Sequence, residues 1–100
     1  MEIYYLETSS RTDKKWMVKR YYPTESKIIH FGGNGYSDFP DHKDETRKER
    51  YLKRHEKNEN WGKSGIDTAG WWAVHLLWNK PTIKGSIKDV EKRFNIKIIY

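Results

Sequence analysis

Residues 30–44, HFGGNGYSDFPDHKD, gather three glycines, two histidines, three aspartates and three aromatics into fifteen positions. Those types invite three chemistries. A phosphate-cradling loop needs Lys and then Ser or Thr after its last glycine, whereas Tyr36 follows Gly35. The glycine spacing of a dinucleotide fingerprint is also absent, so a tight turn is the expected use of GGNG. For a metal, His30, Asp38, Asp41, His42, Asp44 and His55 offer imidazole and carboxylate donors. His42 and His55 lie almost four turns apart on one helix and cannot share an ion. Asp38 and His42, with i,i+4 spacing, are the pair a metal-dependent hydrolase would use, although aspartates before a helix more often cap it. For nucleophilic catalysis, Ser37 lacks the surrounding elbow pattern. His75, among Trp71, Trp72 and Trp78, is expected to be a partly buried, hydrogen-bonded ring. No cofactor and no catalytic residue are expected.

Binding chemistry is better supplied. RKERYLKRH places Arg47, Tyr51, Arg54 and Asn58 on one helical stripe and Lys48, Leu52 and His55 on the next. Arginine and lysine on a solvated helix suit phosphate contacts, and tyrosine adds a hydroxyl donor. Glu45, Glu49 and Glu56 interleave with them, so a salt-bridge lattice is the competing reading. The expected contact set is Arg47, Lys48, Arg50, Tyr51, Lys53 and Arg54. Tyr36, Tyr51 and Trp61 would dock or stack, and Lys80 and Lys84 would extend the surface. A net charge of +6 favours anionic partners.

Short elements must hold these residues. EIYYLE and KKWMVKRYY read as strands joined by a turn in TSSRTDK, and PTES turns into a third strand, KIIHF. Trp16, Val18 and Tyr22 share a face of the second strand, which Arg20 interrupts as it could on an edge strand. GGNG is expected to lie outside the strands, with positive φ angles. Asp38 or Asp41 should cap one charged helix running through DETRKERYLKRHEK, with Asp44 and Glu45 in its first turn and Pro40 tolerated only near its start. Asp44–Lys48 and Glu49–Lys53 have stabilising i,i+4 order. NENWGKSGIDT is a loop, and Asp67 or Thr68 caps a buried helix through AGWWAVHLLWN that ends before Pro81. SIKD has capping-box spacing for a last helix with Ile87, Val90 and Phe94 as its stripe. IKIIY is a closing strand against the N-terminal hairpin.

The expected fold class is α+β. A small antiparallel sheet, made of a three-strand meander and a C-terminal strand, packs on about three helices. The expected single domain, 1–100, has strands in 2–31, a glycine corner at 32–37, helices in 38–94 and a strand at 96–100. Aliphatic residues are few, but fifteen aromatics, five of them Trp, can form a core. The chain has no cysteine, which excludes disulfides and thiolate metal sites. MEIYYLETSS lacks the features of a secretory signal, and AGWWAVHLLW is about half the length of a membrane span. A soluble, non-secreted protein is expected.

HFGGNGYSDFPDHKDETRKERYLKRHEKNENW, then TAGWWAVHLLWNKPTIKGSI and a final KRF, resembles a family of small basic proteins encoded by large double-stranded DNA viruses of eukaryotes. The shared pattern is FGxxGYSD, HKD, RKxxYxxRH, ENW, TAG and LWNKPT, over roughly residues 14–94. The resemblance implies a viral context, in the virion or the infected cell's interior. The expected function is a non-enzymatic structural or packaging protein whose basic surface contacts nucleic acid (DNA) or other virion proteins. The alternatives are a small metal-dependent nuclease and a capsid cement or docking module without DNA binding.

Overall fold

The computed structural model describes residues 2–21 and 26–100. Three strands, β1 (Glu2–Thr8), β2 (Lys14–Tyr21) and β3 (Ser26–Gly33), form the expected antiparallel meander, and β4 (Ile96–Ile99) closes the sheet in the order β3-β2-β1-β4. β4 runs parallel to β1, with Tyr4 opposite Ile98, so the sheet is mixed where an antiparallel one was expected. The connection permits this: β4 follows the last helix after the single left-handed residue Asn95 (φ 53°) and has no hairpin link to β1. It returns by a helical crossover, the connection parallel strands require.

Alternation sorts the strands' residues. Tyr4, Leu6, Val18, Phe31, Ile96 and Ile98 are buried on one face, with Trp16 and Ile29 partly buried against them. Ile3, Tyr5, Ile28 and Ile99 stay exposed on the other. β2 is an interior strand, so Arg20 is not excused by an edge position as anticipated. Its guanidinium instead reaches the hydroxyl of Tyr4 at 3.1 Å and the carboxylate of Asp67 at 3.0 Å. The turn over PTES and the place of Tyr22 lie outside the described residues, apart from Ser26.

The helices cover the buried face. α1 (Phe39–His42) and α2 (Glu45–His55) replace the single charged helix expected. Lys43 takes a left-handed conformation (φ 53°), which ends α1 after one turn. Asp44 then becomes a cap rather than a first-turn residue, accepting from the amides of Thr46 at 3.0 Å and Arg47 at 3.3 Å. Pro40 sits in the first turn of α1, where its missing N–H costs nothing. α3 (Ala69–Trp72) is capped by Thr68 and continues as a π-helical turn over Ala73–Leu77. α4 (Ile83–Phe94) starts three residues before the expected capping box, because the Thr82 hydroxyl accepts from the amide of Gly85. Ser86 is fully buried inside α4 and accepts from the amide of Lys80 at 3.0 Å. Asp89 accepts from Asn79 at 2.8 Å.

Trp71 and Trp72 anchor the core. The Trp72 ring lies 5.1 Å from that of Tyr4 and 6.3 Å from that of Phe31, which joins the helices to the sheet. A buried indole N–H needs an acceptor. Trp71 finds the carbonyl of Gly62 at 2.9 Å and Trp72 that of Ile66 at 2.8 Å. The loop before α3, which contains a 3-10 turn over Lys63–Gly65, is thereby fastened onto the core.

Candidate nucleic-acid interface

Two spare features of α2 combine into a site. None of its residues is fully buried. No ion pair engages its side chains among the described residues, so the salt-bridge lattice does not form and neither Asp44–Lys48 nor Glu49–Lys53 closes. Its arginines turn instead toward the glycine corner. Arg47, Arg50 and Arg54 line one wall of a cleft of about 580 Å³, with Lys14 of β2 and Tyr36 of the corner across from them. The floor includes Gly32, Gly33, Gly70 and Ala73.

The corner is shaped by φ and close approach. Gly32 (φ 78°) and Gly35 (φ 91°) hold the left-handed angles anticipated for GGNG. Gly32 and Gly33 nonetheless belong to the end of β3, where Gly33 pairs with Lys14, so the corner begins later than expected. A Cβ on Gly33 would stand 2.9 Å from the Tyr36 ring, so the ring can lie against the backbone only because glycine is there. Tyr36 is 75% exposed. Its carbonyl accepts from the Lys15 ammonium, which also pairs with Asp38 at 2.6 Å. The Arg47 guanidinium donates to the Ser37 hydroxyl at 3.2 Å and ties α2 to the corner.

An aromatic stack sets the depth of the cleft. Tyr51 lies flat on Trp78 with centroids 4.3 Å apart and planes 6° apart, and His55 stacks on its other side at 4.1 Å. Burial, then the carboxylates of Glu59 and Asp38, push the Tyr51 hydroxyl up to about 12. It therefore remains a protonated donor. Among the described residues, Asp38 is the one buried acid lining the cleft. Burial raises its carboxyl above the usual range although Lys15 pulls the other way.

Of the expected contact residues, Arg47, Arg50, Tyr51, Arg54 and Tyr36 come together. Lys48 does not join them; its ammonium sits 4.9 Å over the ring of Phe39. Lys53, Trp61, Lys80 and Lys84 do not line the cleft. Trp61 donates to Glu59 at 2.9 Å, and its carbonyl is held by His75. Of the pair that a metal-dependent hydrolase would use, Asp38 pairs with Lys15. His42 Nδ1 accepts from the amide of Asp44 at 2.9 Å, while its buried Nε2 has no hydrogen-bond partner among the described residues. Among the described residues no cluster of three or more His, Asp or Glu side chains is arranged to hold a metal ion. Lys14 and Trp78 were not anticipated as site residues. Trp78 has a signal in the sequence, the apolar periodicity of AGWWAVHLLWN; Lys14 has none, since only the sheet brings it opposite α2.

Fold and site together define a small α+β protein with a basic, aromatic-walled cleft. The chain belongs to a family of unknown function (DUF5754), which it matches over residues 4–55. The matched span runs from β1 to the last residue of α2, and so contains the glycine corner and all three cleft arginines. No curated protein and no solved structure matches the chain. No helix among the described residues is long and apolar enough to cross a membrane.

Proposed function

We propose that this protein is a non-enzymatic component of a large DNA virus, acting in the virion or the infected cell, and that its basic cleft contacts the phosphates of nucleic acid. The observation that carries the reading is the convergence of Arg47, Arg50 and Arg54, without carboxylate partners among the described residues, on one concavity that also holds Lys14 and two tyrosines. Guanidinium groups with no acid partner among the described residues keep donors for an external oxyanion, although Arg47 already gives one to the Ser37 hydroxyl. The net charge of +6 adds long-range attraction. The viral context is supported by the order of motifs from FGGNGYSD to LWNKPT.

The test is a fluorescence-anisotropy titration against labelled DNA at several salt concentrations. Tight binding should weaken steeply with salt, with a slope of about 0.9 per neutralised phosphate on duplex. In the double variant Arg47→Glu/Arg54→Glu, affinity should drop at least tenfold and the salt slope flatten by roughly two contacts. The fold should survive, because both side chains are exposed. Unchanged affinity in the folded double variant would remove the cleft from the proposal. Absence of binding at low salt would retire nucleic acid as the ligand and leave a protein-docking role in the viral shell.

A further inference from the structure

We infer that the cleft is built for a single strand, with one base stacked on the exposed face of the Tyr36 ring while the neighbouring phosphates meet the arginines. This inference rests on the phosphate-contact reading above and narrows its ligand. A duplex offers its phosphates on a convex cylinder, and a helix that engages it must project outward. Here Arg47, Arg50 and Arg54 face into a concavity, opposed by the corner at Tyr36 and closed below by Gly70 and Ala73 at the start of the buried helix. Its volume of about 580 Å³ has room for a nucleotide unit and not for a double helix.

The floor is closely packed where glycine stands. A Cβ on Gly32 would come within 2.8 Å of the Leu77 side chain, one on Gly33 within 2.9 Å of the Tyr36 ring and one on Gly70 within 2.6 Å of the Glu59 carboxylate. The floor therefore closes the cleft without offering a slot of its own. Tyr36 is the open surface. Its ring is 75% exposed at the rim, is seated against Gly33, and has no hydrogen-bonded hydroxyl partner among the described residues. An exposed ring beside a basic groove is how sequence-tolerant single-strand binders hold successive bases. Tyr51, by contrast, is already covered on both faces by Trp78 and His55. It can offer only its hydroxyl, which leaves Tyr36 as the stacking surface.

A labelled oligothymidylate, the duplex it forms with oligoadenylate, and unlabelled thymidine monophosphate as competitor test this with the full chain. The single strand should bind more tightly than the duplex. Tyr36→Ala should weaken single-strand binding by roughly five- to a hundredfold, the range for loss of one base–aromatic stack, while barely changing duplex binding. Circular dichroism should show the variant folded, given the exposure of the ring. Equal affinity for strand and duplex, or an unchanged strand affinity in Tyr36→Ala, would overturn the inference while leaving phosphate contact by the arginines standing. Displacement of the strand by the monophosphate at equal nucleotide concentration would overturn the strand as source and make a free nucleotide the ligand. Failure of both DNA probes to bind at low salt would overturn this inference together with the reading it rests on.

Discussion

His75 illustrates how a titratable residue inside an apolar helix is made safe. Its Nε2–H donates to the carbonyl of Trp61 at 2.9 Å, and its Nδ1 accepts from the Arg93 guanidinium at 3.0 Å. The two partners fix the neutral tautomer, and the rings of Trp71 and Phe94 pack about it at 4.4 and 5.0 Å. Burial first, and Arg93 with it, hold the imidazole below its ordinary value despite the Trp61 carbonyl. The unfolded chain therefore takes up the proton before the folded one does as the medium is acidified. Stability contributed by this site is complete above about pH 6.5 and is lost as the pH falls from there toward the folded pKa. Urea denaturation between pH 7 and 5 should show that decline in the parent and a shallower one in His75→Gln; parallel curves would mean that other groups carry the pH dependence. The expectation of a buried, hydrogen-bonded ring at this position holds, because apolar neighbours at helical spacing already imply it.

The separation of α1 from α2 decides what the charged segment can do. Had one helix run from Asp38 or Asp41 onward, the arginines would have pointed in directions set by that register. Lys43 breaks it, and Asp44 restarts the helix as its own cap, with Glu45 in the first turn where a carboxylate suits the dipole. Asp44→Ala should cost about 1 kcal/mol of unfolding free energy. It should also weaken nucleic-acid binding, because Arg47 is one of the two residues whose amides the cap receives. Denaturation curves and the same anisotropy titration would read both effects. A loss of stability with unchanged affinity would show that the cap holds the fold but not the arginines. α4 teaches the converse. SIKD has the spacing of a capping box, yet Thr82, preceded by Pro81, provides the earlier start, and Ser86 is drawn inside to meet the Lys80 amide.

Across the molecule, one tryptophan connects the layers. Trp72 touches Tyr4 of β1 and Phe31 of β3 and holds the Ile66 carbonyl. Trp72→Ala should destabilise by about 3–5 kcal/mol, the range for emptying a large aromatic site. For a chain of this size that is a large fraction of the total. Thermal or chemical unfolding should show it directly; a loss below 1 kcal/mol would mean the core can collapse around the gap and that the ring contacts are dispensable. Because Trp72 adjoins Trp71 and the cleft-lining Ala73, the core that stabilises the fold also sets the cleft's floor.

The α+β class, the meander, the buried tryptophan helix, the closing strand and the solvated character of the charged helix follow from local chemistry. Alternation, capping hydroxyls, glycine and proline act over a few neighbouring residues, so short stretches such as KKWMVKRYY or TAGWWAVHLLW express them fully. The cleft is different. Lys14, Gly33, Tyr36, Arg50, Gly70 and Trp78 come from separate elements, and their meeting depends on the pairing of β2 with β3, the packing of the helices on the sheet and the restart of α2 at Asp44. Whether Arg47, Arg50 and Arg54 pair with Glu45, Glu49 and Glu56 or face a cavity is likewise a question of distances through space. Residue types along the chain limit those distances without fixing them; close packing of the folded layers does fix them.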